Sequence, residues 1–114
     1  MIEEDAIAGF AALANPTRLR VLRELVRAGS GGMFAGQIAE AVGASPSRAS
    51  FHLAAMAEAG LLTSHRDARQ IAYRVNFDGI AGLIGYLLQD CCANDPRILG
   101  CCGLSAEAAA NEGG

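Results

Sequence analysis

Four cysteines, Cys91, Cys92, Cys101 and Cys102, are the only ones in the chain, and they form two vicinal pairs close to the C-terminal end. Thiolates are soft donors, so a cluster of this kind selects soft, thiophilic ions. Three sulfurs around one centre suit trivalent arsenic or antimony, whose lone pair fills the fourth corner. Zinc prefers a tetrahedron, commonly reached through Cys-x-x-Cys spacing, and two adjacent pairs do not offer that spacing. The residues therefore favour As(III) or Sb(III) as the ion these thiols hold. Another soft metal such as Cd(II), Pb(II) or Zn(II), thiol redox sensing, and no role at all remain as alternatives.

A second group of chemically capable residues lies between positions 45 and 52. Ser45, Ser47, Arg48, Ser50, Phe51 and His52 combine short hydroxyls, a guanidinium, an aromatic ring and an imidazole, with no acid among them. Such side chains donate to phosphates and to base edges. Phe51 suits either a thymine methyl or simple packing, and a helical His such as His52 is as often packed and hydrogen-bonded as it is a DNA contact. Arg66 and Arg69, flanking the tip of a short hairpin, suit phosphate or minor-groove contact.

The elements that must carry these groups are set by local signals. Ser45 is a good N-cap and Pro46 fits the first helical position, where a missing N–H costs nothing. Ala49, Leu53 and Met56 then form one apolar stripe, and Gly60 supplies a left-handed C-terminal residue. Upstream, Met33 to Val42 reads as a shorter helix closed by Gly43 and packing through Ile38 and Val42, so a tight turn joins two helices. Downstream, Leu62–Arg66 and Gln70–Val75 read as a β-hairpin, with Ile71, Tyr73 and Val75 alternating against Gln70, Ala72 and Arg74.

Before these, residues 2–14 fit a helix with Ile2, Ala6, Phe10 and Leu13 on one side. Asn15-Pro16 stops it and starts another, in which Leu19, Leu22, Leu25 and Val26 are expected inside, while Arg18 or Arg20 is in reach of a phosphate. Asn76 caps a last helix to about Cys91, with Ile80, Leu83, Ile84, Leu87, Leu88 and Cys91 as a continuous stripe better hidden against a partner than left in water.

This order of pieces resembles the ArsR/SmtB family of small dimeric metal-responsive repressors. The resemblance rests on Asn15 to Leu22, Gln37-Ile38-Ala39-Glu40, Ser45 to Leu53, Ala59-Gly60-Leu61 and Arg66 to Tyr73, and spans roughly residues 6 to 90. It implies a mostly α fold with a small β-hairpin, a winged helix-turn-helix that is dimeric through its first and last helices. Phe34 and Gly36 occupy the two positions where one subgroup places a Cys-x-Cys pair, and the last helix lacks the His of the family's zinc sites. Some arsenic-responsive members instead carry a vicinal Cys pair at the end of the last helix and a further Cys downstream, which implies Cys91, Cys92 and one of Cys101 or Cys102 as the ligands here. Pro46, Phe51 and Ala68 depart from the residues usual at their positions.

Composition sets bounds on this reading. A chain of 114 residues makes one domain, and 52% apolar residues argue against disorder. Its longest apolar run, Gly79 to Leu88, is about half of the ~20 residues a membrane helix needs. The net charge is −3, yet all nine basic residues are Arg and eight of them lie between Arg18 and Arg74, leaving both ends acidic. A positive middle suits a duplex gripped by one face. An acidic start, Met1-Ile2-Glu3-Glu4-Asp5, gives no export signal, so a reducing cytoplasm and free thiols are expected.

The expected protein is thus an arsenite-responsive repressor, not an enzyme, with inducer As(III) or Sb(III) and no organic cofactor. Its partners are double-stranded operator DNA and a second copy of itself, with no membrane. Residues 1–92 form the DNA-binding and dimerisation domain and residues 93–114 a flexible, Cys-containing tail. A thiol redox enzyme and a pure dimerisation module are the rival classes.

Overall fold

The computed structural model describes residues 1–101, Cys101 by its backbone alone. Cys102 and the rest of the tail expected to be flexible, residues 103–114, lie outside the described residues. Helices α1 (Glu3–Leu13) and α2 (Pro16–Ala28) lead through a 3₁₀ turn to β1 (Met33–Phe34), α3 (Ala35–Val42) and α4 (Pro46–Glu58). Strands β2 (Leu62–Asp67) and β3 (Gln70–Val75) come next, then α5 (Phe77–Gly85), a π-helical continuation over Tyr86–Cys91, and α6 (Pro96–Cys101). The three strands are antiparallel in the order β1-β3-β2.

Helix starts are decided within a few residues of themselves. Asn15 Oδ1 accepts from the backbone N–H groups of Thr17 and Arg18 at 2.9 and 3.2 Å, with Pro16 at the first helical position. Ser45 Oγ accepts from Arg48 N at 3.3 Å, again with a proline directly after it. Asn76 does more: its Oδ1 accepts from Gly79 N at 3.2 Å while its Nδ2 donates to the Gly60 carbonyl at 3.0 Å. That pair of bonds seats the start of α5 on the end of α4. The approach is so close that a Cβ at position 79 would collide with the Gly60 carbonyl oxygen, and glycine is the residue that fits.

Val21, Leu25, Ile38, Leu53, Met56 and Leu61 are the largest fully buried side chains among the described residues, and the helices and sheet converge on them. Each contributes about 1.5–3 kcal/mol by leaving water. The stripe of α4 is as expected, Ala49, Leu53 and Met56 all being buried. Gly43 and Gly60 have φ of +69° and +83°, closing their helices in the left-handed region.

Several expectations need correction. The first helix of the helix-turn-helix begins at Ala35, because Met33 and Phe34 extend to pair with Tyr73 and Ala72 as a third strand. As the central strand, β3 is flanked on both edges, and Ala72 is buried beside Tyr73 instead of alternating outward. In α2 the buried face is centred on Val21 and Leu25, leaving Leu19 and Val26 about half exposed at 50% and 49%. In α1 the small residues Ala6, Gly9 and Ala12 face inward, and Ile2, Ile7 and Phe10 face out. Gly9 lies against the Leu83 side chain, so α1 and α5 pack closely and turn larger apolar groups, including Ile84 and Leu87, to the surface.

Candidate functional site

Helix α4 presents its polar face as a surface. Ser45, Ser47, Arg48 and Ser50 are all exposed on it, Ser45 as the cap and the others within the helix, and Phe51 is exposed at 67%, far more than a packing role for the ring would leave. Ser45 and Ser47 hydroxyls lie 3.5 Å apart at the helix start, beside N–H groups whose dipole favours anions. The acid-free surface expected from the sequence is thus assembled on one helix.

His52 is different. It is buried, and its Nδ1 accepts from the Nε–H of Arg18 at 3.0 Å. Burial, and after it the nearby charges of Arg18 and Arg48, pushes its pKa below 6.5, so the ring is held neutral. Of its two readings, the structure supplies the packed and hydrogen-bonded one. Arg18 in turn is half-buried and has partners within the molecule. Its Nη1 donates to the Ala12 carbonyl at 3.3 Å, and its guanidinium carbon lies 5.8 Å from the centroid of the Phe51 ring. The expectation that Arg18 or Arg20 is in reach of a phosphate did not foresee these internal partners of Arg18, the His52 bond joining residues 34 apart in sequence.

The hairpin of β2 and β3 projects as a wing whose loop is Ala68-Arg69. His65, Arg66 and Arg69 are exposed there. Arg74 is less free, since its Nε donates to Thr63 Oγ1 at 3.1 Å across the strands. Ala68 has φ +57°, a left-handed conformation in which its Cβ is strained.

At the other end of the molecule the thiols sit on a widened helix. The i→i+4 phase of α5 ends at Gly85, and Cys92 N donates to Leu87 O, five residues back, at 3.1 Å. The expected stripe assumed regular α-helix to Cys91. The helix instead widens to a π turn beyond Gly85, at whose end Cys91 is exposed and Cys92 half-buried. The phenol of Tyr86 is pushed up in pKa by burial first and then by Cys91, Glu3 and Asp90.

Beyond Cys92 the chain reverses through Ala93 and Asn94, with φ of +49° and +55°. Asp95 then starts α6, accepting from Arg97 N at 2.8 Å and pairing with the Arg97 guanidinium at 2.8 Å; these bonds hold its carboxyl below the usual range. Helix α6 carries the backbone of Cys101 at its end. Among the described residues no three His, Cys, Asp or Glu side chains converge on a metal position. Cys91 and Cys92 supply two soft donors, and the other two thiols singled out from the sequence, those of Cys101 and Cys102, lie outside the described residues.

Comparison with known proteins fits this geometry. A family model described as a helix-turn-helix domain matches residues 13–65. The chain is 38% identical to the HTH-type transcriptional regulator YgaV of Escherichia coli K12, over 74% of this chain and 83% of that protein. It is 34% identical to a probable mercury resistance operon repressor of Streptomyces lividans, over 82% of this chain and 71% of the other. Among solved structures it is similar to the homodimeric winged helix-turn-helix DNA-binding domain of Mb0332 from Mycobacterium bovis, a possible ArsR-family regulator. That match has 27% identity and a TM-score of 0.62, and covers 81% of this chain and 82% of that one.

Proposed function

The chain belongs to the ArsR family of winged helix-turn-helix transcriptional regulators, and from that premise we propose that it is a homodimeric repressor released from operator DNA by As(III) or Sb(III). The observation that carries the sensing part is the vicinal pair Cys91-Cys92, one thiol exposed and the other half-buried, at the end of the π-helical extension of α5. Ile84 of α5 and Leu87 of that extension are exposed, as are Ile2, Ile7 and Phe10 at and within α1. So much apolar surface on two adjoining helices suits a second copy of the chain, as in the homodimeric relative.

In this reading each α4 enters the major groove of one half-site, with the two centres about one helical turn (~34 Å) apart. Ser45, Ser47, Arg48, Ser50 and Phe51 face the duplex, His52 braces the helix from behind, and Arg66 and Arg69 of the wing meet phosphates. As(III) is taken by the thiolates of Cys91 and Cys92 with one of Cys101 or Cys102, which ties the segment after α5 to the helix end. A bond made there alters how the two subunits are set and separates the reading helices from their half-sites. A coupling of about 1–3 kcal/mol lowers DNA affinity roughly 5- to 150-fold.

Titrating the apo protein onto its own upstream DNA, with and without arsenite, tests this. The complex should dissociate with arsenite; if it stays intact, the sensing claim fails. Cys91→Ser and Cys92→Ser should still bind DNA and no longer release it. Loss of DNA binding in these variants would make the thiols structural instead. A second reading, a divalent thiophilic ion as inducer, is favoured by the mercury-operon relative. Parallel titrations with Hg(II), Cd(II) and Pb(II) distinguish the two.

A further inference from the structure

Phe51 is an anomaly on a DNA-facing surface made otherwise of donors. An aromatic ring left 67% exposed loses hydrophobic stabilisation unless something covers it, yet its position is tightly defined. The guanidinium of Arg18 sits 5.8 Å from its centroid, and the His52 ring meets it edge-on, with centroids 5.7 Å apart and planes at 69°. Arg18 cannot drift, because Nε is bonded to His52 and Nη1 to the Ala12 carbonyl. One side chain rooted in α2 therefore ties the end of α1 to the exposed ring of α4.

We propose that Phe51 is a specificity residue that reads the 5-methyl group of a thymine in each half-site, and that Arg18 and His52 are positioning residues that hold its ring for the task. The inference rests on the reading that α4 enters the major groove. The chemistry is selective: a hydrocarbon ring offers no hydrogen bond to guanine, adenine or cytosine, and the thymine methyl is the apolar group that the major groove displays. A ring already fixed by a cation on its face and an imidazole at its edge loses little freedom on contact. Arg18 touches no DNA in this arrangement; its effect on sequence preference passes through Phe51.

The test uses two versions of the upstream DNA fragment, one amplified with dTTP and one with dUTP, which lacks only the methyl. Wild-type protein should bind the thymine fragment about fivefold or more tightly than the uracil fragment. Phe51→Ala, a surface change, should bring the two affinities together. Arg18→Lys keeps the charge and loses the planar guanidinium; His52→Gln keeps an acceptor for Arg18 and loses the ring. Each should reduce the thymine-to-uracil ratio while leaving the salt dependence of binding unchanged, a split that general loss of stability would not produce. The same ratio in wild type and Phe51→Ala overturns the reader. An undiminished ratio in folded Arg18→Lys and His52→Gln overturns the positioning role. If folded wild-type protein binds neither fragment, the DNA-binding reading itself fails and this inference goes with it.

Discussion

Arg18 of α2 donates its Nε–H to Nδ1 of His52 in α4, 3.0 Å away, and so fixes both the tautomer of the imidazole and the seat of the α4 helix. An imidazole that accepts at Nδ1 carries its proton on Nε2 and is neutral. A second proton at Nδ1 would remove the acceptor and place a cation against Arg18.

The stability of the protein should therefore fall in mild acid. Burial and the two nearby Arg side chains lower the folded pKa of His52 below 6.5, so from about that pH downward the unfolded chain binds the proton more readily than the folded one. The contribution is complete above pH 6.5 and is lost as pH drops from 6.5 towards the folded value. Urea midpoints at about pH 7.5 and about pH 5.5 should show a larger loss for the wild type than for His52→Gln. Equal losses would refute the assignment.

Ala68→Gly should stabilise the wing. The left-handed φ of +57° costs an alanine about 1 kcal/mol that glycine does not incur, so the melting temperature should rise by a few degrees at fixed protomer concentration. A lower melting temperature would mean that the added freedom of glycine in the unfolded chain outweighs the relieved strain.

Arg66→Ala and Arg69→Ala should weaken binding to all DNA sequences alike. Each is exposed on the wing and makes no hydrogen bond or ion pair among the described residues that would compete with a phosphate. Loss of one phosphate contact per subunit flattens the slope of log affinity against log salt by about 0.9 for each contact. An unchanged slope would take the wing out of the interface.

Ile84→Asp should separate the dimer. The side chain is half exposed on the protomer, and a carboxylate there would be buried without a partner in the assembled interface. Sedimentation should show a monomer, with operator affinity falling in parallel because two half-sites are no longer bound together. A variant that remains dimeric would move the interface elsewhere.

What could be read along the chain was what the chain decides locally. Asn15, Ser45 and Asn76 each cap a helix through a backbone N–H two or three residues away, so those starts depend on a few neighbouring residues. The stripe Ala49, Leu53, Met56 comes from helical period, and the helix–turn–helix–hairpin order needs nothing more. Those features were sufficient to identify a DNA-binding architecture and to single out the residues with chemistry in them.

Tertiary structure decided everything that depends on a distant partner. Met33 and Phe34 become a strand because Tyr73 and Ala72 lie beside them, and Arg18 is engaged by a histidine 34 residues away. Leu19 and Val26 lie outside because the core meets α2 at Val21 and Leu25, and the last helix widens into a π turn after Gly85 although its apolar period runs on unbroken in the sequence. Periodicity gives a face to each helix, but which direction that face points, and where its phase slips, is set by the elements packed against it.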